Sequence, residues 1–275
     1  MKTILACIPT EREFRPLIDA SLSLAKTFGA RLDAVAVGYE TSSVGLAVDG
    51  GAAMAAVFEI ERKRASSCAK AVLSIAEVEA QKVGVACCCM PMAAVPYEAD
   101  IALSALARLR DITIALQPES DLDTFDNALP QEILFGSGAP VLFVPYTHQG
   151  PLKLGRIGIA WDGSRLAARA VRDALPFLRH AHKITIVSVN DTDSAHASAD
   201  ALKMYLSDRE LESAIIRTIA APADIQPTLL SIAADEGLDL FVMGGYGHSR
   251  LRERILGGVT REMFASMTIP TLMSH

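Results

Sequence analysis

Between Met243 and Thr260 the chain reads Met-Gly-Gly-Tyr-Gly-His-Ser-Arg-Leu-Arg-Glu-Arg-Ile-Leu-Gly-Gly-Val-Thr. An apolar run ends at Met243, glycines follow at 244, 245 and 247, and a helical pattern runs from there toward Gly257. Glycine lets the backbone curl without a side-chain clash, so successive N–H groups can converge on an anion. The start of a helix adds free N–H donors and the positive end of the helix dipole. Gly257 and Gly258 interrupt the helical pattern and can bring a second set of N–H groups to the same anion. This arrangement suits the holding of a phosphate, largely by main chain. His248 and Arg250 lie in the first turn of the helix, within reach of such a group, whereas Arg252 and Arg254 read as solvated.

The other reactive side chains do not assemble into a catalyst by spacing. The sequence has no nucleophile elbow, no paired carboxylate motif and no Walker lysine. Gly45, Gly50 and Gly51 precede a helical segment (about Met54 to Gln81) but lack the spacing and the lysine of a phosphate loop, so a flexible connection is expected there. His180 and His182 sit at a helix end, where histidine favours the negative pole of the dipole. Cys87, Cys88 and Cys89 stand in an apolar strand with no further Cys or His at ligand spacing. With Cys7 and Cys68 they read as free, mostly buried core residues without a metal. Their odd number and consecutive placement fit no disulfide framework, which points to a reducing compartment, the cytoplasm.

The elements that must position these residues come in two sets. Apolar, β-branched runs are expected as strands at Thr3 to Ile8, Leu32 to Val37, Val83 to Met90, Ile112 to Leu116 and Val141 to Val144. A second set is expected at Arg156 to Trp161, Ile184 to Val189, Ala214 to Ile219, Leu240 to Met243 and Thr271 to Met273. Each fifth strand follows a proline, Pro140 or Pro270, which a strand tolerates at its start. Helical patterns lie between; the clearest has Ala167, Ala170, Val171, Ala174, Leu175 and Leu178 on one face. Strand and helix thus alternate five times in each half, which predicts two α/β units, each an open five-stranded parallel sheet with helices on both faces. The polar linker Thr147 to Pro151 sets the expected domains at 1–149 and 150–275. A net charge of −6 without a basic block argues against nucleic acid. No run reaches the length of a membrane span, and the apolar start is too short for a signal peptide.

The spacing Gly244-x2-Gly247, nine residues from His248 to Leu256, then Gly257, resembles the nucleotide signature of the ATP-binding class of the universal stress protein family. The resemblance extends over both halves and implies an adenine-nucleotide α-hydrolase-like fold of tandem type. It implies a site for ATP, ADP or AMP in the second half, with magnesium able to accompany the nucleotide. Asp162 would lie near the adenine, and the main chain of Val189 would meet the base. The phosphates would lie against Gly244, Gly247, Gly257 and Gly258, with Thr260 nearby. The family pattern has Ser or Thr after its last glycine, where this chain has Gly258; the N–H stays and the hydroxyl is lost.

The first half lacks this equipment. Its fourth strand runs into Gln117-Pro118-Glu119-Ser120-Asp121, Pro9 stands in the place of Asp162, and Asn127 and Ala128 stand in those of Gly257 and Gly258. The protein expected is a regulatory nucleotide binder of the stress response, with one site and no dedicated catalytic group. The alternatives are a stress protein that binds no nucleotide and acts by dimerisation, and a slow ATPase of the same fold. In single-domain relatives the fifth strands pair between subunits. Val141 to Val144 and Thr271 to Met273 are therefore expected to pair within this chain as an internal pseudo-dimer, which leaves a further homodimer open.

Overall fold

The computed structural model describes residues 1–40, 51–119, 121–191, 197–245 and 259–275, with 51–55 described as helix only. The first half runs β1 (Thr3–Ile8), α1 (Arg15–Phe28), β2 (Arg31–Tyr39), α2 (Gly51–Val83), β3 (Cys87–Ala94), α3 (Pro96–Ala107), β4 (Ile112–Leu116), α4 (Phe125–Ser137) and β5 (Val141–Val144). The second runs β6 (Arg156–Ala160), α5 (Arg165–Leu178), β7 (Lys183–Val189), α6 (Ala199–Ser207), β8 (Ser213–Thr218), α7 (Ile225–Asp235), β9 (Leu240–Gly244), α8 (Val259–Ser266) and β10 (Thr271–Ser274).

Local chemistry accounts for the boundaries that matter to the strand ends. Gly29, at φ 58°, ends α1 in the left-handed conformation, and its N–H reaches back to Lys26. Ser164 opens α5, its Oγ accepting the Ala167 N–H at 3.1 Å. From there Leu166, Ala167, Ala170, Val171, Ala174, Phe177 and Leu178 form the buried face.

Among the described residues ten strands make one sheet in the order β3-β2-β1-β4-β5-β10-β9-β6-β7-β8. Each five-stranded half is parallel throughout. The halves meet where β5 and β10 pair antiparallel, with Thr271 opposite Phe143, Leu272 opposite Leu142 and Met273 opposite Val141. The fifth strands therefore join within the chain, as the resemblance implied. Val141, Leu142, Phe143, Val144, Leu272 and Met273 are all at 0% exposure, so the junction is core. At about 1.5–3 kcal/mol for each large apolar side chain buried, this seam holds the halves together.

Alternation along the strands builds one core on each face of the sheet. Ile4, Ala6 and Ile8 pack with α1, α2, α5 and α6 on one side, and Leu5 and Cys7 with α3, α4, α7 and α8 on the other. Both cores run across the junction. Further ties cross it, including the Leu152 N–H to Ser23 Oγ at 2.8 Å and the edge-to-face contact of Phe28 with Phe177.

Two expectations need correction. The third strand is not Val83 to Met90 but Cys87–Ala94, because α2 continues through Val83 and Gly84 turns the chain at φ 72°. Pro91 lies inside that strand, which is tolerated because β3 is the edge of the sheet. The same edge position corrects the cysteines. All five are free, but only Cys7 is buried; Cys87 and Cys89 are half-buried, and Cys68 and Cys88 are exposed. An edge strand is only partly covered on its faces, so its side chains keep contact with water.

Candidate functional site

In an open α/β sheet the ligand crevice lies outside the carboxyl ends of the strands, where the strand order reverses. In the second half that point lies between β6 and β9, because β6 pairs with β7 on one side and with β9 on the other. The structure brings three of the expected site residues to this edge. Asp162 follows β6, Val189 ends β7 and Gly244 ends β9.

Asp162 is exposed, and its Oδ1 accepts the N–H of Ser164 at 2.9 Å across Gly163, which stands at φ 72°. This tight turn sends the chain from β6 into α5. Behind it Trp161 is buried, its N–H bonded to Val187 O and its Nε1–H to Ala197 O. Val189 is half-buried. The adjoining Ser188 donates from Oγ to Trp161 O at 3.1 Å, tying the ends of β6 and β7 together. Gly244 has a packing reason of its own. A Cβ there would stand 2.7 Å from Ala167 N and 2.8 Å from Leu166 C, so only glycine lets the first turn of α5 rest on the end of β9. The next residue, Gly245, donates its N–H to Ser274 O at 2.9 Å. Thr260 is buried in the first turn of α8. Gly247, His248, Arg250, Gly257 and Gly258 lie outside the described residues, as do Gly45, Gly50 and Ser120.

The matching crevice of the first half is filled by the chain's own side chains. It lies between β1 and β4, which pair as β6 and β9 do. The Arg12 side chain, 3% exposed, donates from one terminal nitrogen to Gln117 O at 2.7 Å and stands 3.5 Å from Glu119 Oε1. The Asp126 carboxylate accepts the N–H groups of Thr10 and Glu11 at 2.7 and 2.8 Å, and the Tyr39 hydroxyl at 3.0 Å. Thr10 Oγ1 donates to Val37 O at 2.7 Å. Burial raises the Asp126 pKa against the pull of those donors. Burial also pushes the Cys7 thiol up to about 12, with the nearby Asp126 charge adding to it, and lowers the Arg12 guanidinium. Between Cys7, Arg12, Leu116, Asp126 and Leu129 there remains about 10 Å³, the room of one water.

Sequence reasoning missed Arg12, Tyr39, Gln117 and Asp126. They come from four separate loops and elements, and no spacing links them. Gln117 also reaches across the molecule, its Nε2–H donating to Phe264 O of α8 at 2.8 Å.

Residues 153–275 match the family profile of the universal stress proteins. The crystal structure of a universal stress protein from Archaeoglobus fulgidus resembles the whole chain with a TM-score of 0.73, covering 98% of this chain and 95% of that one at 15% identity, a likeness of fold. The universal stress protein MJ0577 of Methanocaldococcus jannaschii is 29% identical over 82 residues, 30% of this chain and 49% of that protein. The match thus spans about half the length of that curated relative. A universal stress protein solved in complex with cAMP matches 44% of this chain and 97% of its own at 23% identity, with a TM-score of 0.34. Among the described residues no helix is long and apolar enough to cross a membrane.

Proposed function

We propose, from the premise that its second half makes this chain a member of the universal stress protein family, that it is a regulatory protein binding one adenine nucleotide. Two domains divide the work at about residue 150. The first, 1–149, is a degenerate partner, and the second, 150–275, carries the site. The observation that carries this reading is the convergence of Asp162, Val189 and Gly244 at the strand-order reversal, with Gly244 leading straight into the glycine-rich segment.

In this reading the adenine lies between Asp162 and Val189. The phosphates take the N–H groups of Gly244, Gly247, Gly257 and Gly258, with His248 and Arg250 at the first turn and Thr260 beside them. Magnesium can enter with the nucleotide. The residues are binders rather than acids, bases or nucleophiles, so hydrolysis is at most slow. The role is that of a switch: ATP, ADP or AMP favours one conformation and cytoplasmic protein partners read it, which requires different affinity for the two states.

Calorimetry with ATP, ADP and AMP on the full chain tests this. The expected result is one equivalent per chain, lost in Gly247→Val, whose side chain would crowd the phosphates. Two equivalents would overturn the one-site claim. A second reading, a stress protein that acts by dimerisation without nucleotide, draws on Gly258 in the hydroxyl position and on the burial of Thr260. No binding by the wild type would favour it.

A further inference from the structure

Cys87 and Cys89 stand two residues apart on β3, so their side chains leave the same face of the strand. That face turns toward α2. Both thiols pack half-buried against the core that Leu32, Ala34 and Leu73 help to form, and Cys89 Sγ lies 3.6 Å from Leu73 O. The two sulfurs are 3.9 Å apart. Cys88 points to the opposite face and is exposed. Because β3 is the edge of the sheet, the pair is open to water from the side where no strand follows.

That spacing discriminates between the two things a thiol pair can do. Residues i and i+2 of a strand have Cα atoms about 6.6–6.8 Å apart. This is the far end of the range a disulfide spans, so direct oxidation to a Cys87–Cys89 bond strains the strand. The sulfur separation matches instead that of two thiolates sharing one ion at about 2.3 Å from each, the usual distance to a thiolate. At 3.9 Å between sulfurs it would subtend an S–ion–S angle of about 116°, between the tetrahedral and trigonal values. The ion would then keep at least one open position. Among the described residues no group of three or more metal-ligating side chains exists, so the described residues offer two ligands here and no closed cage. A structural zinc site needs four. Soft thiolates with few ligands select Cu(I).

We propose that Cys87 and Cys89 form an open two-thiolate site for one soft cation of the Cu(I) class, with the free position available to a small thiol or to a partner's cysteine. Binding is proton-coupled and involves no electron transfer. Two S–H bonds break, two S–Cu bonds form, and two protons leave to solvent for each Cu(I) taken up. Burial raises both thiols, Cys87 to about 12, and the Glu77 charge on α2 adds to it, so the protons stay on sulfur until a cation displaces them. The edge position and the open coordination suit an ion passed on to another thiol, not one locked in place.

The test uses the reduced full-length chain under anaerobic conditions, titrated with Cu(I) against a chromophoric Cu(I) chelator. The expected result is one Cu(I) retained per chain, with thiolate-to-copper absorption in the ultraviolet. Cys87→Ser and Cys89→Ser should each lose the retained ion, and Cys88→Ser and Cys68→Ser should keep it. Alanine variants at 87 and 89, checked for unchanged circular dichroism and thermal midpoint, guard against an effect of misfolding. Surrender of all copper by the wild type would overturn the proposal. So would retention after loss of Cys87 or Cys89, or an equal loss in Cys88→Ser.

Discussion

The two halves carry one backbone plan and place different residues at the ends of its central strands. In the first, the Asp126 carboxylate accepts two successive N–H groups of the loop after β1, the kind of contact an anionic ligand would make. Arg12 lies across the end of β4 and takes its carbonyls. In the second, Asp162 follows β6 at the place of Pro9 and is exposed, and a glycine ends β9 where Leu116 ends β4. The lesson is physical. An open sheet leaves polar main-chain groups at the ends of its strands, and these must be satisfied. Internal side chains can do this permanently, or a ligand can do it on demand. The first half takes the internal course, and the reading proposed for the second is the ligand.

The largest effect should come from unsealing the first crevice. Asp126→Ala removes the acceptor for Thr10 N–H, Glu11 N–H and the Tyr39 hydroxyl in one step. Stranded, partly buried donors of this kind should cost about 3 kcal/mol, read as a lower urea midpoint. A pH series checks the sign. Burial raises the Asp126 pKa in the folded chain, against the donors that pull it down. The folded state therefore binds this proton more tightly than the unfolded state. The group's contribution is flat below the ordinary aspartate value of about 3.9 and turns unfavourable as pH rises through the folded pKa. Asp126→Asn should remove that part of the profile. Asp33 should act in the opposite sense: burial alone would raise its pKa, but the bonds from Arg31 and Arg110 overcome this and hold it low. An unchanged profile in Asp126→Asn would mean that the carboxylate does not close the crevice as described.

Next in size is the glycine on which the first turn of α5 rests, Gly244. Gly244→Val places a Cβ 2.7 Å from Ala167 N and adds two methyl groups beyond it, so α5 must shift from β9. Overpacking of this kind costs about 1–3 kcal/mol. Nucleotide binding should disappear with it. Retained stability in Gly244→Val would show that the close approach of α5 is not what requires glycine here.

How much of this contrast was legible in the sequence depends on distance along the chain. The bounds of β1, β4 and β5 agree with the expected runs because Pro9, Asp111 and Pro140 punctuate apolar segments buried on both faces. The third strand was misplaced because an edge strand tolerates Pro91 and carries partly exposed side chains, which weakens the apolar signal. Asp162, Val189 and Gly244 could be placed at strand ends by counting. The packing of Gly244 against α5 could not, since it arises only when β9 and α5 meet. The same holds for Arg12, which meets Gln117 and the neighbourhood of Asp126 from more than a hundred residues away.

A third, smaller effect tests whether the halves communicate. The residue just past β4, Gln117, bonds Phe264 of α8, and the residue just past β9, Gly245, lies under Leu134 of α4. Gln117→Leu keeps the volume and removes one buried hydrogen bond, which should cost about 1 kcal/mol. Hydrogen exchange over residues 259–266 should accelerate, because α8 loses a tie to the other half. Unaltered exchange there would confine the influence of Gln117 to the first half.

The smallest effect on the fold and the most selective effect on binding should come from Asp162→Ala. The side chain is exposed and, among the described residues, accepts the Ser164 N–H, while Ser164 keeps its own bond to Ala167. Surface changes of this kind move stability by no more than about 0.5 kcal/mol, which for a chain of this size shifts the thermal midpoint by about 1–2 °C. If the carboxylate meets the adenine nucleotide, its loss removes one charge-assisted hydrogen bond and weakens affinity on the order of tenfold. The first half already has Pro9 at this place and no free carboxylate, so the variant makes the second crevice resemble the first in one respect only. Calorimetry and a thermal melt on the same preparation separate the outcomes. A tenfold loss of affinity with an unchanged melt assigns Asp162 to the ligand. An unchanged affinity with a lowered melt would make it a turn residue alone, and the difference between the halves would then lie wholly in the glycines.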